Sequence, residues 1–187
     1  MALIKARSRG INLADTFAFS GTVSGAGGIS NFTTFRLTSN YTISSTSTWE
    51  YFTSNLSSTM TSPSGVTNLG SVVTESSGVF TFPSTGIWKV GMNIYAFRSG
   101  DNWDQAYCKA YVTTNNSSYN EFLQTAESVN AGSGSRETIM NGEGLLDVTD
   151  TSNVKVKFGI YSTAPISVSA NASRNATYFT FERIAAT

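Results

Sequence analysis

Apolar and polar residues alternate with a period of two along most of this chain. In Gly78-Val79-Phe80-Thr81-Phe82-Pro83, the aromatics Phe80 and Phe82 fall on one side, and Val79, Thr81 and Pro83 on the other. The corner Pro83-Ser84-Thr85-Gly86 follows, and a second alternating run opens at Ile87. That pattern predicts a strand, a tight corner and another strand. Gly86 supplies backbone freedom at the corner, and Pro83 ends the first strand because it cannot donate to a ladder. The same period predicts ten strands, over 33–38, 48–53, 79–82, 86–98, 105–113, 119–126, 136–148, 154–160, 166–170 and 176–184. Clusters of Gly, Asn, Ser and Asp separate them, as in Asn115-Asn116-Ser117-Ser118. Helix formers never cluster, and no repeat longer than a strand is visible. This is the pattern of a sandwich or jelly roll. Phe80, Phe82, Trp88 and Val90 are expected to face inward, with Phe179 or Phe181 of the last strand. Trp49 also sits in an alternating run and reads as core, whereas Trp103 lies in a polar loop and reads as a surface or interface aromatic.

Composition sharpens this picture. The chain of 187 residues is 40% hydrophobic, enough for one domain with a sizeable core. Charged residues make up only 13%, and Ser and Thr take their place. Twelve basic and twelve acidic residues leave no net charge. No basic stripe interleaved with aromatics marks a nucleic-acid surface. Lys5, Arg7 and Arg9 are the one local excess, with no acid before Asp15. They form either a solvated end or a patch that docks on an acidic surface. The single cysteine, Cys108, permits no intrachain disulfide and lies in an alternating strand, where a buried structural thiol is expected. No run is long enough for a membrane span, and the start lacks the apolar segment of a signal peptide, so manufacture in a cytoplasm is the expectation.

Chemistry at a catalytic or metal site finds little support. The chain has no histidine, which removes the usual general base and the commonest metal ligand. Ser-His-Asp and Cys-His arrangements cannot be built, and a zinc site would need more Cys or His. Glu121, Glu127, Glu137 and Glu143 could supply a carboxylate pair, but twelve acids allow many pairs. Asp101-Asn102-Trp103-Asp104, and Asp147 with Asp150 and Asn153, offer oxygens to calcium. The competing reading is turn chemistry, in which Asp and Asn bond their own backbone. No catalytic residue, cofactor or metal is assigned. Trp49, Trp103 and Tyr119 are the aromatics that could stack on sugars if exposed.

The chain divides near Ser30, into an arm with a glycine-rich hinge over 1–29 and a head over 30–187. Two stretches carry family resemblances. The block Gly78-Val79-Phe80-Thr81-Phe82-Pro83-Ser84-Thr85-Gly86-Ile87-Trp88 resembles the signature of complement globular-head and tumour-necrosis-factor-like jelly rolls, with Trp88 where Tyr is usual. The strand–turn–strand from Gly142 to Val156 and the closing run Thr177-Tyr178-Phe179-Thr180-Phe181-Glu182-Arg183-Ile184 are similar to the same superfamily. The stretch Ile11-Asn12-Leu13-Ala14-Asp15-Thr16-Phe17-Ala18-Phe19-Ser20-Gly21-Thr22-Val23-Ser24-Gly25-Ala26-Gly27 resembles the N-terminal arm of structural proteins of tailed bacteriophages.

Together the resemblances imply an all-β, trimeric jelly roll of about ten strands with an extended N-terminal arm, acting as a non-enzymatic virion structural protein. A capsid decoration or cement protein bound to the major capsid protein or another virion component is one expectation. A short tail fibre or spike head that binds a host-surface glycan is the alternative. With only about thirty residues before the head and no shaft repeat, decoration is favoured. The expected attachment set is Lys5, Arg7, Arg9, Ile11, Leu13, Phe17 and Phe19, and neither nucleic acid nor membrane is an expected partner.

Overall fold

The computed structural model describes residues 29–44, 46–60, 67–99, 103–129 and 135–187. These form thirteen strands and no helix. In chain order they are β1 (Asn31–Leu37), β2 (Tyr41–Ile43), β3 (Glu50–Tyr51), β4 (Leu56–Ser57), β5 (Thr74–Ser76), β6 (Val79–Thr81) and β7 (Gly86–Ser99). There follow β8 (Trp103–Thr113), β9 (Asn120–Val129), β10 (Ser135–Val148), β11 (Lys155–Ser162), β12 (Ile166–Val168) and β13 (Tyr178–Ala185). All ten expected strands are present. Three short ones, β2, β4 and β5, are added, and the expected strand over 48–53 shrinks to β3.

Two antiparallel sheets face each other. The first runs β2-β12-β7-β13-β1-β4, with β10 on the free edge of β7. The second runs β5-β6-β11-β8-β9, with β3 also on β11. Consecutive long strands cross between the sheets, from β6 to β7, β7 to β8, β9 to β10 and β10 to β11. That crossing makes the sandwich a jelly roll. β7 is the spine of the first sheet. Fourteen residues of β10 pair along one of its edges, while β13 and β12 share the other. The closing strand β13 lies beside β1, pairing Phe179 with Phe35 and Phe181 with Thr33.

The alternation puts one residue in two between the sheets. Phe80, Phe82, Trp88, Val90, Phe179 and Phe181 are all buried, as the pattern predicted. Phe158 stacks on Phe179 with centroids 4.1 Å apart, and Phe80 meets Phe35 edge-on at 5.1 Å. The Trp88 indole donates to the Ser84 carbonyl at 3.1 Å, so its one polar atom is satisfied inside the core. Gly86 has φ of +137°, and a Cβ there would lie 2.4 Å from the Ala185 carbonyl oxygen. Glycine is therefore required at the corner, as expected. Cys108 is fully buried, its thiol 3.8 Å from the Met140 sulfur, and burial pushes that thiol well up. The polar turn between β10 and β11 is held by Asp150, which accepts from the Ser152 amide at 2.7 Å and from the Asn153 side chain at 2.6 Å.

Candidate functional site

Each sheet turns one face to the core and one outward, and the two outward faces are differently built. On the second sheet, Tyr107, Lys109 and Tyr111 of β8 share a side with Lys157, Gly159 and Tyr161 of β11, by alternation with the buried Cys108, Ala110, Phe158 and Ile160. Trp49, just before β3, joins this layer. Its ring lies 5.6 Å from that of Tyr161 and 6.0 Å from that of Tyr111. Tyr107 meets Tyr161 at 5.7 Å and Tyr51 meets Tyr111 at 5.5 Å. The Lys109 ammonium sits 4.6 Å over the Trp49 ring, and that of Lys157 sits 4.1 Å over Tyr119. Lys109 also pairs with Glu121 of β9. Gly159 makes room for this layer, since a Cβ there would lie 3.3 Å from both Tyr51 and Tyr111 ring carbons. Burial first, then the neighbouring Tyr51 and Glu121, pushes the Tyr111 hydroxyl up to about 12. A shallow cleft of about 250 Å³ opens in the layer between Trp49, Gln105, Tyr107, Lys109, Gln124 and Tyr161.

The outward face of the first sheet carries Phe32, Tyr95, Phe97 and Tyr178, whose rings form no cluster like that on the second sheet. Ile139 and Leu145 of β10 stand 54% and 61% exposed, opposite Tyr95 and Lys89 of β7. Lys89 lies 2.8 Å from Glu182 and 3.8 Å from Glu143. A trough crosses the sheet in two hollows of about 430 and 330 Å³, which share Tyr178 and Thr180. At its far end lies Arg36, only 2% exposed. Its Nε donates to the Asn175 side chain at 2.9 Å, and the Thr59 carbonyl accepts from its Nη1. Both acceptors are neutral, and no carboxylate among the described residues pairs with it. Burial lowers its pKa from the ordinary guanidinium value.

No family model and no curated protein matches the chain. Solved structures do match in shape. The Eiger TNF of S. frugiperda aligns with a TM-score of 0.58 at 14% identity, over 83% of this chain and 93% of that one. Murine APRIL at pH 5.0 aligns with a TM-score of 0.58 at 8% identity, over 82% and 98%. The fold is a TNF-like jelly roll. The resemblance carried by Gly78 to Trp88 therefore holds at the level of architecture.

Within this TNF-like jelly roll the expected site residues fare unevenly. Lys5, Arg7, Arg9, Ile11, Leu13, Phe17 and Phe19 lie outside the described residues. Trp103 is not in a loop: it opens β8 and pairs with Val129. Past an irregularity at Ala106 the backbone there still pairs with β9, so the polar flank misplaced it in a loop. Trp49 is not in the core: it is half-buried on the outer face of the second sheet. Tyr119 is half-buried beneath Lys157. Of the two calcium candidates, Asp150 and Asn153 spend their polar atoms on the turn, while Asp147 is exposed on β10 opposite Ile87. Asp101 and Asn102 lie outside the described residues. Glu121 and Glu143 are engaged with Lys109 and Lys89. Sequence reasoning missed Tyr107, Tyr161, Gln105 and Gln124. Their signal was present in the shared parity of Tyr107, Lys109 and Tyr111, because a lysine in that row marks it as outward.

Proposed function

We propose that this protein is a non-enzymatic structural protein of a tailed-phage virion, a trimeric capsid decoration protein attached through its N-terminal arm. The outward face of the first sheet carries the assembly part of this reading. Ile139 and Leu145 expose large apolar side chains on one strand, and Arg36 buries a charge with no carboxylate beside it among the described residues. Buried charges are stable when paired, so a countercharge from outside the protomer fits Arg36. Glu137 and Glu143 flank the exposed Ile139 and Leu145 along β10. A neighbour's β10 edge seated on the trough would cover the apolar pair and bring a carboxylate toward Arg36. Repeated head to tail, such a contact closes into a ring. The low charge content of the chain suits an interface core, where charged residues are depleted.

The arm reading rests on the phage-like string from Ile11 to Gly27 and on the basic triplet Lys5, Arg7 and Arg9. Its apolar residues Ile11, Leu13, Phe17 and Phe19 would add to a partner's sheet edge, and the basic residues would set salt sensitivity. Deleting residues 1–28 tests this. The head should fold and trimerise, and particles should lose it. Normal occupancy of the truncated head on virions would overturn the arm's role. A second reading, a short fibre or spike head that binds a host-surface glycan, is favoured by the aromatic layer on the second sheet. Imaging labelled copies on intact particles separates the two, by many sites on the shell or a few on the tail.

A further inference from the structure

We propose that the cleft between Trp49 and Gln124 is a binding site for a neutral glycan and takes one pyranose ring of a longer chain. A sugar ring has an apolar face of C–H groups and a rim of hydroxyls that donate and accept. The cleft offers both complements. Trp49, Tyr161 and Tyr107 come from three strands or their ends; Trp49 is tilted 40° to Tyr161, and Tyr107 meets Tyr161 at 69°, giving an uneven aromatic floor of ring faces and edges. Gln105 and Gln124 stand exposed at the margins, and the Tyr107 hydroxyl donates to the Gln105 side-chain oxygen at 2.9 Å. Each glutamine amide still has N–H donors to give to a ligand hydroxyl. At about 250 Å³ the cleft lies just below the range of roughly 300–1,000 Å³ for sites that enclose drug-sized molecules, which suits a single ring.

Two further features narrow the ligand. Lys109, the cation lining the cleft, has its charge met by Glu121 and by the face of Trp49. No surplus positive charge is aimed at an acidic sugar, so the ligand is neutral. The floor is also fixed before binding, since Trp49 is wedged among Tyr111, Tyr161 and the Lys109 ammonium. Fixed aromatics lose little entropy on binding. An apolar protein partner fits worse, because it would bury the amides of Gln105 and Gln124 without bonds, a penalty that hydroxyl groups avoid. The site deepens the fibre-head reading but does not depend on where the protein sits. If imaging places it on the shell, that reading fails and the sugar site stands or falls on its own test.

The test is an array of neutral oligosaccharides ending in glucose, galactose or N-acetylated hexosamines, with sialylated glycans beside them, probed with the full chain. Hits are then followed by saturation-transfer NMR with the free oligosaccharide. Binding is expected to at least one neutral class, with transfer to ring protons on one face of the sugar. Trp49→Ala should weaken it roughly tenfold, the upper end of what one stacked aromatic contributes. Gln124→Ala, an exposed change that leaves the fold untouched, should weaken it several-fold and carries the test if Trp49→Ala misfolds. No binding across the neutral glycans, binding to sialylated glycans alone, or affinity unchanged in both variants would overturn the proposal.

Discussion

The outward faces of the two sheets handle exposed apolar side chains in different ways. On the second sheet, Trp49, Tyr51, Tyr107, Tyr111 and Tyr161 lean on one another, and Lys109 and Lys157 lie over their rings. Outside the cleft at Trp49, these apolar surfaces are covered by a neighbour whose polar tip remains in water. On the first sheet, Leu145 and Ile139 stand apart, and Arg36 is buried without a carboxylate partner among the described residues. One face packs its rings within the protomer around a single cleft, and the other has groups that a neighbour would satisfy. The lesson is that apolar content alone does not mark an interface. What marks it is apolar and charged groups left without company.

The comparison can be broken at its base by emptying the core that both faces share. Trp88→Ala removes a fully buried indole and should cost about 3–5 kcal/mol. Chemical denaturation should show that loss, and both faces should fail together. An unchanged midpoint would mean that the core does not depend on Trp88. Next in size is the double change Leu145→Glu with Ile139→Glu. Each side chain, if buried against a neighbour, contributes about 1.5–3 kcal/mol. Light scattering should find monomers that still melt in one cooperative transition, and trimers that persist would remove the first sheet from the interface.

A subtler test is Arg36→Met. In an isolated protomer, the loss leaves the Asn175 side chain and the Thr59 carbonyl without their donor and should cost about 1–3 kcal/mol. In the proposed trimer it should weaken association by about 2 kcal/mol or more, because a neighbour's carboxylate facing Arg36 would then be left buried alone. Equal effects on both would show that the countercharge is not supplied by a neighbour. On the other face, Trp49→Ala should cost only about 1–2 kcal/mol, the worth of its ring and cation contacts, and should leave trimers intact. An effect absent at neutral pH concerns the phenol of Tyr111. Tyr111 is neutral in the folded protein up to about 12, against 10.0 ordinarily, chiefly through burial. Its contribution is therefore full below pH 10 and is lost as pH rises through about 12. Ultraviolet titration of Tyr111→Phe against the parent should show the late-titrating phenol disappear; a phenol ionising at its ordinary value would mean a loosely packed layer.

Much of the fold was legible because long strands declare themselves. Gly86 to Arg98 alternates over many residues, with Trp88, Val90, Met92, Ile94 and Ala96 on one side, and a strong period needs no context. The short strands were not legible for a physical reason. Thr74-Glu75-Ser76 and Leu56-Ser57 have no apolar face of their own, and they are strands only because β6 and β1 offer ladders. The aromatic site was half legible. Alternation sorts residues into two sides but does not say which side is inward when both carry rings. Trp49 was therefore assigned to the core, although Lys109 and Lys157 share the parity of its neighbours. The cleft itself joins residues from four separate stretches, which no local pattern can bring together.

The pairing of Asn31 with Arg183 sets the chain's entry into the sandwich beside its exit. Anything genetically joined after Thr187 would thus emerge near Asn31, where the described head begins. Under the proposed arm docking, a passenger protein placed there would compete for the same space. Cargo for display is better carried at a turn such as Asn115-Asn116-Ser117-Ser118, where the Asn115 side-chain oxygen accepts from the Ser117 and Ser118 amides and both neighbouring strands are already paired. The same proximity of entry and exit makes the head a candidate for circular permutation, with a short linker joining the two ends and a new start opened at such a turn.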